Sequence, residues 1–154
     1  MVLTLRRAVP ILVVFLVFST LAAAAPAAIW DFNECNGTIA NDVTGNGNTG
    51  TLQNGVTWTN NSYAGCAVQF DGIDDYVYVR DSPRLDITQN LTISAWIYPT
   101  AYGDRSIVSK WGGPDQRSYV LHLSNQGQVY FRVSPNGQEL GFNVGTVISS
   151  NSVE

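Results

Sequence analysis

Residues Leu91 to Tyr98 set the tightest constraint on the fold. Leu91, Ile93, Ala95 and Ile97 alternate with Thr92, Ser94, Trp96 and Tyr98, and successive side chains of a strand point to opposite faces of a sheet. A helix would scatter those apolar residues around its circumference, so the stretch predicts a half-buried strand. Val129, Phe131 and Val133 alternate with Gln128, Tyr130 and Arg132 in the same way. Shorter runs of this kind sit at Val68 to Phe70, Tyr76 to Arg80, Ile107 to Trp111, Tyr119 to Leu123 and Leu140 to Val144. Turn chemistry separates them at Asp71-Gly72, Asn125-Gln126-Gly127 and Pro135-Asn136-Gly137. Beyond the first thirty residues no segment carries a helical period. Many short strands joined by such turns predict an all-β chain, an antiparallel β-sandwich or jelly roll.

The beginning of the chain is different. Arg6 and Arg7 precede an apolar run from Val9 to Leu21, and a small-residue tract from Ala22 to Ala28 follows. That order is expected of a secretory signal peptide, here residues 1–24, with cleavage after Ala24. An uncleaved membrane anchor is the alternative, because Ala8 to Trp30 contains no charge and is long enough to span a bilayer. Both readings place the rest of the chain outside the cytoplasm, secreted or at the cell surface. One domain, residues 28–154, is expected after the leader. The whole chain carries a net charge of -4, and without Arg6 and Arg7 it keeps 6 basic residues against 12 acidic ones. Nucleic acid is therefore excluded as a partner class on electrostatic grounds.

The stretch Gly45-Asn46-Gly47-Asn48-Thr49-Gly50 fits the glycine pattern of dinucleotide-binding loops. Such a loop needs a hydrophobic strand before it and a helix opening at its third glycine. The approach is Thr38 to Asp42 and the exit is Thr51 to Val56, which leans towards strand and is broken by Gly55. No nucleotide is expected. The glycines fit a tight surface loop with positive φ, and the asparagines tolerate that region and bond the local backbone.

Cys35 and Cys66 are the two cysteines. An oxidising compartment favours a disulfide between them, with free or metal-bound thiols as the alternative. Sequons stand at Asn36, Asn60 and Asn90 and matter only in a host that glycosylates them.

Several segments appear in a telling order: Trp30 to Phe32, Asn41 to Leu52, Val56 to Trp58, Val68 to Gly72 with Asp74 to Val77, Leu91 to Ile97, and Ile107 to Lys110. Together they resemble the laminin G-like jelly roll of the concanavalin A-like lectin and glucanase superfamily. The resemblance covers nearly all of the chain after the leader. It implies closing strands past Ser149 to Glu154, so the jelly roll is expected to be incomplete at its C-terminus, with an edge strand at Trp30 to Phe32 that lacks a neighbour.

The same resemblance raises two chemistries, hydrolysis and binding. The related glucanases carry a Glu-x-Asp-x-x-Glu motif on one strand; Glu34, Glu139 and Glu154 are the only glutamates here, and none sits in such a motif. His122 is the only histidine and lies opposite Tyr119, Leu121 and Leu123, where a surface or hydrogen-bonded histidine is expected rather than a base. No catalytic residue is assigned. Calcium takes oxygen ligands, and many superfamily relatives bind it. The candidate ligands are Asp42, Asn46, Asn48, Asp71 and Asp74, with turn capping by Asp42 as the alternative. Glycan binding needs an exposed aromatic plate ringed by polar groups, and Trp111 and Tyr102 lie in or beside loops where such residues collect. Trp58 and Trp96 sit in strand-like context and are expected to pack in the core. The sequence thus predicts an exported, non-catalytic carbohydrate-binding or adhesion module. A structural domain that contacts extracellular proteins without binding glycan is the alternative, and a glycoside hydrolase fragment is the third reading.

Overall fold

A computed structural model describes residues 25–88, 90–113 and 115–138, together with the backbone of Phe142–Thr146. The expected leader at 1–24, Leu140, and the glutamates at 139 and 154 lie outside the described residues. Among the described residues nine strands follow in order: β1 (Ile39–Ala40), β2 (Gly50–Gln53), β3 (Thr57–Thr59), β4 (Ala67–Gln69), β5 (Tyr76–Val79), β6 (Arg105–Trp111), β7 (Arg117–Leu123), β8 (Val129–Val133) and β9 (Phe142–Thr146). A 3-10 turn spans Pro83–Leu85. Among the described residues no helix is long and apolar enough to cross a membrane. Every strand pair is antiparallel, in three sheets ordered β1-β2-β5, β3-β4 and β6-β7-β8-β9. The chain is all-β, as the alternation requires.

The four-stranded sheet obeys that alternation. A serine turn sets its central hairpin: Ser124 Oγ accepts the amides of Gln126 at 3.2 Å and Gln128 at 3.1 Å, while Gly127 takes a positive φ of 75°. The turn fixes the register Leu123↔Val129, His122↔Tyr130 and Val120↔Arg132. Tyr119, Leu121 and Leu123 consequently share one face, and Val120, His122, Tyr130 and Arg132 the other. Lys110, opposite Tyr119, anchors the first face to the chain before it through salt bridges to Asp81 and to Asp86 at 2.9 Å. Burial lowers the pKa of the Lys110 ammonium, but hydrogen bonds to the two carboxylates outweigh it and raise the group above its ordinary value. The hydroxyl of Tyr119 donates to the Leu85 carbonyl at 3.3 Å, and burial pushes its pKa up.

In the three-stranded sheet, Gly50 has no space for a side chain. A Cβ there would stand 2.6 Å from Cγ1 of Val77 and 3.5 Å from the Cβ of Ala40. Closing that gap lets Ala40 and Leu52 become buried. Gly45 and Gly47 take φ of 76° and 83°, the left-handed conformation expected of this loop. Its exit enters β2 and not a helix.

Three expectations need correction. Leu91 to Ile97 forms no ladder: alternation gives a segment two faces but does not supply a strand to pair with, and none pairs with it among the described residues. The segment instead lies across the apolar face of the large sheet, where Leu91, Ile93 and Ile97 line an open cleft of about 540 Å3 with Ile107, Leu121 and Phe131. Trp96 is 72% exposed and not in the core, because no layer among the described residues covers this segment; its ring stacks on Tyr63, centroids 4.2 Å apart. Trp30 to Phe32 is also not a strand. Phe32 has a φ of 52°, which breaks an extended run, and the segment is held by Trp30 Nε1 donating to the Asn48 carbonyl at 2.8 Å. Trp58 is half-buried, edge-on to Phe32, with Nε1 donating to Gly37 O at 2.8 Å.

Candidate functional site

The residues singled out in the sequence fall in three places. The first is the loop between β1 and β2. Asp42 is 8% exposed. Its Oδ1 accepts the amide of Ile29 at 3.2 Å, the amide of Thr44 at 3.1 Å and the Thr44 hydroxyl at 2.6 Å, and its Oδ2 accepts the Asn48 amide at 3.0 Å. Burial pushes this carboxyl up, but the Thr44 hydroxyl and the three amides outweigh it and hold the group below the usual carboxylate range. Asn48 is 1% exposed; its Nδ2 donates to Ala27 O at 2.9 Å and its Oδ1 accepts from Ser82 Oγ at 2.6 Å. Asn46 Nδ2 donates to Pro26 O and Ala27 O, both at 3.1 Å. These side chains tie the N-terminal segment to the loop. Asp42 caps the turn, the alternative given for it above.

The second place is the turn between β4 and β5. Asp71, Asp74 and Asp75 each offer a carboxylate oxygen, all within 4.8 Å of one another. Oxygens that share one calcium at 2.3–2.6 Å lie at most about 5 Å apart, so the spacing suits that ion. Asp71 Oδ1 accepts the Ile73 amide at 2.8 Å, and Asp75 Oδ2 accepts the Asp71 amide at 3.0 Å. Oδ1 of Asp75 is buried with no hydrogen-bond partner, an orphaned acceptor that a cation would satisfy. The donor set is all oxygen and fits a hard ion. Asp75 is a member that the sequence reading did not assign as a ligand. Asp42, Asn46 and Asn48 do not belong to this group.

The third place is the polar face of the β6–β9 sheet. Trp111, at the end of β6, lines a cleft of about 190 Å3 with Asp104, Arg105, Ser106, His122 and Arg132. Trp111 follows Lys110 directly, so strand alternation sets it on this face while Lys110 stays on the other. His122 is buried against the ring of Tyr130, centroids 5.4 Å apart, with Nε2 3.7 Å from Asp104 Oδ1. The sequence pointed to Trp111 but not to its companions. Their signal was present: once the turn at Asn125 to Gly127 closes the β7–β8 hairpin, alternation puts His122 and Arg132 on one face. Tyr102 is 66% exposed and is not among the cleft's lining residues; its ring lies over Gly127 in the β7–β8 turn.

Cys35 and Cys66 form a disulfide with Cα atoms 5.5 Å apart, settling the choice between bridged and free thiols in favour of the bridge.

The comparisons with known proteins agree with this architecture. A crystal structure of an S-layer domain-containing protein (residues 221–444) from Clostridium thermocellum ATCC 27405 is similar, with a TM-score of 0.60 and 22% sequence identity over 80% of this chain. This chain spans 59% of that one, and at such identity the likeness concerns the fold alone. No curated protein matches the sequence. A laminin G-type family profile, described as the concanavalin A-like lectin/glucanases superfamily, matches residues 70–154, more than half of the chain. With its antiparallel sheets already described, the chain belongs to the concanavalin A-like lectin/glucanases superfamily.

Proposed function

We propose that the chain is an exported, non-catalytic surface or adhesion module that binds a glycan in the Trp111 cleft and holds calcium in the Asp71 to Asp75 turn. The observation that carries this reading is the company of Trp111: an indole at a strand end, with hydrogen-bonding groups of Ser106, His122 and Arg132 lining the same cleft. An aromatic face stacks on the C–H face of a sugar while the surrounding polar groups meet its hydroxyls. The cleft is smaller than the roughly 300 to 1,000 Å3 of pockets that bury drug-sized ligands, which suits a sugar ring lying against its wall. Glycosidic cleavage uses two carboxylates across the bond, and Asp104 is the only carboxylate among the described lining residues; this supports binding over hydrolysis. The leader supports export.

Trp111→Ala is expected to abolish retention on a glycan array while leaving the thermal melt within a few degrees of the parent. Retention undiminished in the variant would remove the cleft from the reading. Calcium is expected to raise the melting temperature over that in chelator, since an ion that binds only the native state stabilises by mass action, about 2.7 kcal/mol at a hundredfold excess over Kd. Asp74→Asn is expected to abolish the shift. A melt indifferent to calcium would exclude the ion.

A second reading, a domain that contacts extracellular proteins, is favoured by the exposed Tyr63–Trp96 stack and the uncovered Ile97 and Tyr98 beside it. Exposed aromatic surface of this kind marks interaction sites. Loss of a protein partner on Trp96→Ser, with glycan retention absent throughout, would support it.

A further inference from the structure

We propose that Leu91 to Tyr98 is the pairing edge of a two-fold symmetric dimer, in which it joins the same segment of a second copy of the chain antiparallel. This rests on the second reading above and names its partner; the glycan cleft, on the other face of the large sheet, takes no part in it. Leu91 to Tyr98 carries the clearest strand pattern in the chain, yet none of its backbone N–H or C=O groups bonds to another backbone group among the described residues. Ser94 to Thr100 are all exposed. An uncovered extended edge of this kind is a template for another strand, and such edges are commonly blunted by charged side chains. Here no charged residue stands between Asp86 and Asp104.

Charge, symmetry and area favour a second copy over a foreign strand. Without Arg6 and Arg7 the chain keeps 6 basic residues against 12 acidic ones, so two copies repel over most of their surface and least across this uncharged strip. Antiparallel pairing about an axis at Ser94 sets Leu91 against Ile97 and Ile93 against Ala95 of the second copy on one face, and Thr92 against Trp96 and Asn90 against Tyr98 on the other. Ser94 then faces its own counterpart. Each apolar side chain of Leu91, Ile93, Ala95 and Ile97 meets an apolar one, and each aromatic meets a smaller uncharged one. A slip of one residue would set the apolar face of one copy against the polar face of the other. Tyr63, Trp96 and Tyr98 are 69%, 72% and 83% exposed; at roughly 150–250 Å2 per aromatic side chain, two copies together offer about 700–1,100 Å2 before backbone and aliphatic groups are counted, close to the roughly 1,000 Å2 that a specific interface needs.

Sedimentation of the oxidised chain over a range of concentrations is expected to show a reversible monomer–dimer equilibrium. Ser94→Asp and Ser94→Lys each put two like charges face to face on the axis, and each is expected to weaken association on the order of tenfold or more. An equimolar mixture of the two variants is expected to restore the dimer, because opposite charges then meet. Ser94 is exposed, and a melt establishes that each variant is folded. Trp96→Ala, which removes exposed aromatic area without adding a charge, is expected to weaken the dimer as well and keeps the test valid if either charge unfolds the chain. A parent that stays monomeric at its highest soluble concentration would overturn the inference; a protein partner still lost on Trp96→Ser would then assign the surface to a foreign protein and leave the second reading standing. A monomer whose Leu91 to Tyr98 amides exchange slowly with solvent would also overturn it, by showing the edge paired within its own chain. So would a dimer indifferent to the Ser94 variants, or variants of opposite charge that do not recombine, since the interface would then lie elsewhere.

Discussion

Replacing Asp42 by alanine is expected to destabilise the oxidised chain by about 3–5 kcal/mol, since hydrogen bonds to charged groups contribute about 1.5–3 kcal/mol each and unpaired buried donors add their own cost. Three amides and a hydroxyl lose their acceptor at once: those of Ile29, Thr44 and Asn48, and the Thr44 side chain. For a domain of this size that corresponds to a fall of roughly 10–20 °C in melting temperature. Asp42→Asn is expected to cost less, about 1–3 kcal/mol, because one oxygen survives while an NH2 group is turned towards donors that need an acceptor. The pH dependence separates this account from simple loss of packing. The carboxyl lies below its ordinary value in the folded chain, so its contribution is present above the unfolded value near pH 3.9 and is lost as pH falls through the folded value. Wild type should therefore lose more stability than Asp42→Ala on acidification below about pH 4. Asp81, held low by its hydrogen bond and attraction to Lys110, remains in both proteins and contributes equally to each. Parallel pH profiles would show that Asp42 is a spacer and not a charged hub.

The fold was legible where a strand is long enough to show its period. Tyr119 to Leu123 and Val129 to Val133 alternate in sequence and pair in space, because burying one face of a sheet forces that pattern. The strands Ile39–Ala40, Gly50–Gln53 and Thr57–Thr59 are too short to alternate visibly. The first two are held because Gly50 lets Val77 approach its backbone and because Asp42 and Asn48 hold the adjoining loop; the third is held by its pairing with β4. Those causes are tertiary, and composition does not carry them. Leu91 to Tyr98 shows the opposite error. Its pattern is the clearest in the chain, yet pattern states which side chains could face a core and not whether a neighbouring strand is there to complete the ladder.

The same division holds at the candidate sites. Trp111 could be picked out because an aromatic at the end of an alternating run, followed by glycines, is placed where ligands are met. His122 and Arg132 were hidden by taking each strand singly; they become neighbours of Trp111 only through a register that Ser124 and Gly127 determine. Asp42, Asn46 and Asn48 were drawn towards calcium by their oxygens. Sequence cannot tell an oxygen that awaits a cation from those of a carboxylate that already accepts four hydrogen bonds, as Asp42 does; among the described residues the buried carboxylate oxygens without a partner belong to Asp75 and Glu34.

Removal of the disulfide by Cys35→Ser with Cys66→Ser is expected to cost about 3–4 kcal/mol through the entropy returned to the unfolded chain, given a separation of 31 residues between the bridged positions. The closed loop contains β1, β2 and β3 with Ala40, Asp42, Asn48 and Leu52, which include most of the buried residues outside the large sheet. Few large apolar side chains are buried there, so the loop depends on its tether and its polar clamp more than on a hydrophobic core. Urea unfolding should show a lower midpoint for the double variant and for the reduced parent alike. Because Asp42 lies inside the loop, its loss and the loss of the bridge should not add: a loop already released gains less from an intact clamp, and the triple variant should fall short of the sum. Midpoints unchanged on reduction would mean that the unfolded chain keeps the two cysteines near each other without the bond. Strict additivity would mean that clamp and tether stabilise separate units, with β1 to β3 able to fold around Asp42 whether or not its ends are joined.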